Sequence, residues 1–240
     1  MPDRFGPRGV VAVLIPVQNS NMQPEYESMR PDGVSNQMYR FNLANHNRAS
    51  EAILDVVPDT RLCWPDVIIG GMSLEMHDWS QMRQLEFRTA FADAADGVKT
   101  VLATDATAAA LQTLGAKRFG VISPMSSAHS RSVQDYYEAL GYAVPYAASL
   151  KVEKSEDIIK VQRDQVIAAF EEINKPDIDT LVHVGGALGI VSMIAELEDH
   201  FRKPIVSVNA ATYWYALRQI GVNDPMPGFG QLLMNRDVAA

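Results

Sequence analysis

The stretch LVHVGGALGIV, Leu181 to Val191, decides the fold. It opens on a run that does not alternate between apolar and polar residues. A strand with one face in water alternates, whereas a parallel strand covered on both faces does not. Gly185 and Gly186 then allow a tight turn or a close backbone approach, and helical spacing resumes over about 190–201. The unit is a buried strand, a glycine turn and a helix.

The same unit occurs earlier, in VIIGGMSLE at 67–75. A second pair of segments also matches: VLATDATAAALQTLG (101–115) and IVSVNAATYWYALRQIG (205–221) each read as a strand, an Ala/Thr helix start, a leucine and a glycine. Continuous apolar runs predict strands at 10–16, 66–71, 99–104, 118–124, 142–150, 180–186 and 204–210. Amphipathic segments between them predict helices at about 45–57, 79–95, 106–115, 127–140, 156–173, 190–201 and 211–220. Strand–helix alternation of this kind implies a parallel α/β fold. The internal likeness implies two pseudo-symmetric Rossmann-like parallel-sheet halves facing across a cleft. The first spans 1–116 with a C-terminal segment 216–240, and the second spans 117–215. Residues 17–45 break the pattern with a polar stretch that reads as a long loop. It begins at the carboxyl end of the first strand, where open α/β sheets bind ligands, so it reads as an active-site loop or lid, or else a surface excursion.

Composition narrows the partners. The 240 residues are 47% hydrophobic and 21% charged, enough for one large core or two small ones. The net charge of −8 and the lack of a basic block argue against nucleic acid. No apolar run approaches the roughly 20 residues of a membrane helix. MPDRFGPRG lacks the apolar region of a signal peptide, so a cytoplasmic location is the default. The single cysteine, Cys63, excludes a disulfide within the chain and a cysteine-rich metal site. No ligand set at metal spacing, no GxGxxG and no P-loop are present, so no metal and no cofactor are expected.

Five motifs in order carry a resemblance: IPVQN (15–19), GGMS (70–73), SPMS (123–126), VGGAL (184–188) and PGFGQLL (227–233). Together with the tandem halves they resemble the aspartate/glutamate racemase superfamily, in the branch of arylmalonate decarboxylase and maleate cis–trans isomerase. The resemblance spans nearly the whole chain and rests on motif order and spacing. It implies a small carboxylic acid bound between the halves, an enediolate intermediate, no cofactor, and a small homo-oligomer. Most members carry a thiol at each strand–turn tip. Here the first tip falls at Gly71 or Met72 and the second at Val184 or Gly185, and none of these is cysteine. Cys63 precedes its strand and cannot occupy a tip.

The remaining residues define the candidate site. The Gly70–Gly71 and Gly185–Gly186 turns offer backbone N–H groups to an anion, as helix N-termini do; the alternative is that the glycines only permit the turn. The resemblance puts Ser73 at the hydroxyl donor of an oxyanion pocket, and brings Ser123 and Ser126 near a carboxylate. Met125 stands where a tyrosine is usual. Each serine is alternatively a helix cap. Asn19 resembles the asparagine that holds a substrate carboxylate in the isomerase branch, or is a turn residue. Thr104, Thr107, Asn209 and Thr212 read as caps. Candidates to replace the thiols are Glu75, His77, His183 and His129. Glu75 and His77 follow the first turn and suit acid–base work. Strand neighbours point to opposite faces, so His183 and Val184 do not both face the cleft unless the turn rotates one, and His183 reads alternatively as core. His129 reads as a cap. Met72, Val184 and Leu188 are candidates for an apolar wall beside a leaving carboxylate.

The expected function is a cofactor-independent lyase or isomerase, decarboxylase-like, acting on a small carboxylic or dicarboxylic acid. Alternatives are a carboxylate-binding protein without chemistry and an enzyme using Glu75 or His77 in place of the thiols.

Overall fold

A computed structural model describes residues 3–42, 48–72 and 74–239. Two four-stranded parallel sheets form, with strand orders β2-β1-β3-β4 and β6-β5-β7-β8. The first contains β1 (Gly9–Pro16), β2 (Val34–Phe41), β3 (Val67–Gly70) and β4 (Lys99–Leu102). The second contains β5 (Arg118–Ser123), β6 (Ala143–Ser149), β7 (Thr180–His183) and β8 (Ile205–Ser207). In each sheet the first strand pairs with the second and third, and the third pairs with the fourth. The expected tandem of parallel α/β halves is therefore present. Among the described residues no helix is long and apolar enough to cross a membrane.

The helices are α1 (Met22–Met29), α2 (Ala49–Thr60), α3 (Leu74–His77), α4 (Gln81–Ala95), α5 (Ala103–Thr113), α6 (Ser127–Ala139), α7 (Arg163–Ile173), α8 (Ile194–Phe201), α9 (Val208–Gln219) and α10 (Gln231–Met234). Among the described residues, 3₁₀ turns lie at Arg61–Cys63, Ser155–Lys160 and Val191–Met193.

Residues 17–45 are not a loop. They contain α1 and β2, apart from the few that fall outside the described residues. VSNQMYRF is an edge strand in full register with β1, from Gly9↔Val34 to Pro16↔Phe41. It buries only Val34 and Phe41, so it lacks the apolar run of a central strand. Most expected strands are shorter than read. In two of them, 99–104 and 204–210, Ala103 and Val208 already begin helices, because the strand-to-helix turn follows Leu102 and Ser207 with no linker.

Alternation along β1 divides the core. Val11, Val13 and Ile15 join Val67, Ile69, Val101 and the apolar residues of the second sheet, whereas Ala12, Leu14 and Ile68 face α2 and α4 through Ile53, Phe87 and Phe91. Helices α5 and α9, one from each tandem unit, pack on each other. Trp214 and Tyr213 of α9 are fully buried, and Tyr213 packs against Tyr26 of α1 with ring centroids 4.9 Å apart and the rings tilted by 32°. This seam fixes the two sheets so that the carboxyl ends of their strands meet.

Candidate active site

Where those ends meet lies a cavity of about 200 Å³. The first sheet lines it with Pro16, Gln18 and Asn19 after β1 and with Gly70, Gly71 and Met72 after β3. The second sheet lines it with Gly186 and Ala187 after β7 and with Val208 and Asn209 after β8.

The first tip is set by sterics. A Cβ on Gly71 would lie 1.7 Å from the backbone oxygen of Leu14, so β3 can press against β1 there only with glycine. The Met72 N–H donates to the Gly70 carbonyl at 2.8 Å, which closes the turn and removes that N–H from the donors open to a ligand. Ser73 lies outside the described residues.

The second tip is set by hydrogen bonds. Gly185 adopts φ +97°, the left-handed region, and a Cβ there would lie 2.7 Å from the Pro124 ring. The Gly186 carbonyl accepts from Asn19 Nδ2 at 3.1 Å and from Asn209 Nδ2 at 2.9 Å. Asn19 is also the turn residue at the start of α1, since its Oδ1 accepts from the N–H of Asn21 and of Met22 at 3.1 and 3.0 Å. Among the described residues, one amide hydrogen of Asn19 has no partner.

Glu75 lines the cavity. Its carboxylate accepts from the Ser50 hydroxyl at 3.0 Å and the Ser50 N–H at 3.2 Å, at the first turn of α2, where a negative charge is favourable. Glu75 also borders a second, outer pocket lined by Arg48, Asp78 and Arg83.

The histidines lie elsewhere. His77 packs against Tyr136, Tyr137 and His129 with ring centroids 5.0, 5.7 and 6.0 Å away. Neither of its ring nitrogens has a protein partner among the described residues, and burial pushes its pKa down to about 3. His183 is fully buried with Nδ1 3.2 Å from the Ser207 hydroxyl, and burial holds it near 3 as well. His129 sits on α6, its Nδ1 3.6 Å from Asp78; burial lowers its pKa and Asp78 opposes that.

Of the residues singled out in the sequence, the structure brings Asn19, Gly71, Met72, Glu75 and Gly186 together around the cavity. Val184 and Leu188 are core residues, so the apolar wall consists instead of Met72 with Met22, Leu74, Ile158 and Val208. Ser123 is buried and takes the Met125 N–H at 3.4 Å; Ser126 caps α6 by accepting from the His129 N–H at 3.3 Å. Ser123, Met125, Ser126 and Gly185 do not line the cavity. Cys63 lies at the opposite end of the strands, beside Gly9, Val10 and Asp66, and its thiol donates to the Thr60 carbonyl.

Two residues went unread. Asn209 follows β8 as an apparent cap, yet it lines the cavity. Glu25 of α1 has no sequence signal beyond being an acid in a polar segment. It accepts from the Val191 N–H at 2.7 Å and from Asn209 Nδ2 at 2.6 Å. Burial pushes its pKa up to about 7 against the pull of these bonds.

Comparison with known proteins gives the family and the fold. The family model for arylmalonate decarboxylase matches residues 67–233. The maleate isomerase of Nocardia farcinica is 26% identical over 196 residues, covering 79% of this chain and 75% of that protein. The maleate isomerase of Alcaligenes faecalis is 23% identical over 125 residues, covering 51% of this chain and only 49% of that protein. A cysteine-to-serine variant of the Nocardia farcinica maleate cis–trans isomerase, solved with a covalently bound succinylcysteine intermediate, superposes with a TM-score of 0.83 at 18% identity, covering 94% of this chain and 98% of the other. At that identity the likeness shows the fold.

Proposed function

From the chain's place in the arylmalonate decarboxylase family, we propose that it is a cofactor-independent lyase that decarboxylates a small dicarboxylic acid, with both carboxylates on one carbon, through an enediolate. The observation that carries this reading is the make-up of the cavity. Its described lining has backbone turns, the amides of Gln18, Asn19 and Asn209, an apolar wall and one ionisable side chain, Glu75. Racemisation needs an acid and a base on opposite faces of one carbon. Decarboxylation needs less: an oriented carboxylate, fixed donors where charge develops, and one proton donor.

In this reading the bond between one carboxylate and the α-carbon breaks, carbon dioxide leaves, and the electron pair delocalises into a second carboxylate on the same carbon as an enediolate. The free amide hydrogen of Asn19 and backbone N–H groups of the tips stabilise that charge. Glu75 relays a proton to the α-carbon. It recovers one from solvent through the outer pocket that it also borders. The apolar wall of Met72, Met22 and Ile158 receives the leaving carboxylate, whose charge it does not solvate.

A carboxylate-binding protein without chemistry is the second reading. It is favoured by the lack of a thiol at either tip and by the position of His77 and His183 outside the cavity. Proton NMR in heavy water separates the two, with maleate, phenylmalonate, methyl-phenylmalonate, aspartate, glutamate and small hydroxy acids as substrates. The lyase reading predicts a decarboxylated product carrying deuterium at the α-carbon, and a loss of at least a hundredfold in rate for Glu75→Gln. The binding reading predicts a rise in melting temperature with one of these acids and no conversion or exchange with any of them.

A further inference from the structure

We infer that Glu25 is a positioning residue for the second tip, acting through Asn209 and the Val191 N–H to hold the Gly186–Ala187 turn against the cavity. The inference deepens the lyase reading and rests on it for its kinetic consequences only.

Four side chains hold this turn, and three come from a short piece of the first tandem unit. Asn19 donates to the Gly186 carbonyl and Asn21 donates to the Ala187 carbonyl at 2.8 Å. Glu25 reaches the Val191 N–H, just beyond the turn. Asn209, from the start of α9, bridges them: its Nδ2 gives one hydrogen to Glu25 and the other to the Gly186 carbonyl. With both hydrogens committed, Asn209 can offer only its oxygen to other groups, and that oxygen lies 2.8 Å from where a Cβ on Gly186 would stand. The amide orientation of a residue lining the cavity is thus set by a carboxylate that does not line it. Glu25 does not line the cavity, and both of its oxygens are taken by N–H donors.

The carboxylate is needed because both of its oxygens accept. In Glu25→Gln one oxygen becomes an amide nitrogen. Whichever way that amide turns, it faces either Asn209 Nδ2 or the Val191 N–H with a donor, and one bond is lost. The side chain keeps its size, so packing around α1 is preserved.

The test has two independent arms. In amide hydrogen exchange, Glu25→Ala should speed exchange of Leu188 and Val191 at least tenfold, and Glu25→Gln that of Leu188, while Val121 of β5 and Val182 of β7 stay protected. In turnover of phenylmalonate, Glu25→Gln should lower kcat at least tenfold with KM within twofold. That loss should vanish in an Asn209→Ala background, because both changes cut the same chain of contacts. Unchanged exchange at Leu188 and Val191, or kinetic effects of Glu25→Gln and Asn209→Ala that add, would overturn the inference. If the unaltered protein converts no phenylmalonate, the lyase reading loses its support on that acid, and the exchange arm alone decides the role of Glu25. If Glu25→Ala does not fold, Glu25→Gln and Asn209→Ala report on the same turn.

Discussion

The two glycine turns read alike in sequence and are held by different forces. At the first, Gly71 is locked by contact with the Leu14 backbone, inside its own sheet. At the second, the Gly186 carbonyl is held by the amides of Asn19, from the other tandem unit, and of Asn209, which Glu25 of α1 anchors in turn. Sterically locked backbone has one geometry. A turn held by four side-chain contacts can be reset by changing any of them. The tandem repeat therefore yields the same topology twice but a fixed jaw and an adjustable one.

Breaking the fixed jaw has the largest effect. Gly71→Cys, which would restore a thiol at the first tip, puts its Cβ onto a backbone oxygen. Overpacking with no room to relax costs more than about 3 kcal/mol. Thermal unfolding of Gly71→Cys should show a collapse in stability rather than a gain in activity.

Each jaw also adjoins a buried neutral histidine, His77 after the first and His183 before the second. Both titrate near 3 in the folded chain and near 6.5 when unfolded. Below 6.5 the unfolded chain therefore binds protons that the folded chain refuses. The stability contributed by keeping these rings neutral is full above pH 6.5 and is lost as pH falls, by about 2 kcal/mol per histidine at pH 5. Glu25, held up to about 7, runs the other way over the same window, because the folded chain takes up its proton first. Denaturant melts of two chains between pH 8 and 5 isolate the histidine: relative to the unaltered protein, His77→Phe, a ring of similar volume among Tyr136 and Tyr137, should lose about 2 kcal/mol less stability at pH 5; an unchanged profile would mean that His77 accepts a proton in the folded protein.

Loosening the adjustable jaw is milder. Asn19→Ala removes one bond to Gly186 and two that hold the start of α1, and should cost about 1–2 kcal/mol. The smallest effect belongs to Val184→Cys. Val184 is fully buried in apolar surroundings, and its N–H is bound to the Ile122 carbonyl. A side chain of similar size should cost less than about 1.5 kcal/mol. A thiol placed there points into the core, so slow labelling by a thiol reagent in the native state is expected.

The paired turns were legible because unbroken apolar runs ending in two glycines have few other uses. The helix and edge strand in residues 17–41 were not, because β2 buries only its two ends and α1 carries its meaning in polar residues. Asn19 was legible from its motif, although its second duty at the start of α1 was not. Glu25 and Asn209 matter through each other, across 184 residues of chain, and nothing local in either segment marks that pairing. His183 illustrates the reverse: its neighbours suggested chemistry, but the strand's alternation turned it into the core.

The central claim is carbanion chemistry without a thiol. The most direct test compares the untreated protein, Cys63→Ser and the iodoacetamide-alkylated protein in heavy water with phenylmalonate, followed by proton NMR. Cys63 lies at the far end of the strands from the cavity, so all three should release carbon dioxide and deuterate the α-carbon at equal rates. Loss of turnover on blocking or replacing Cys63, or no turnover of this or any other acid tested by the untreated protein, would contradict the account.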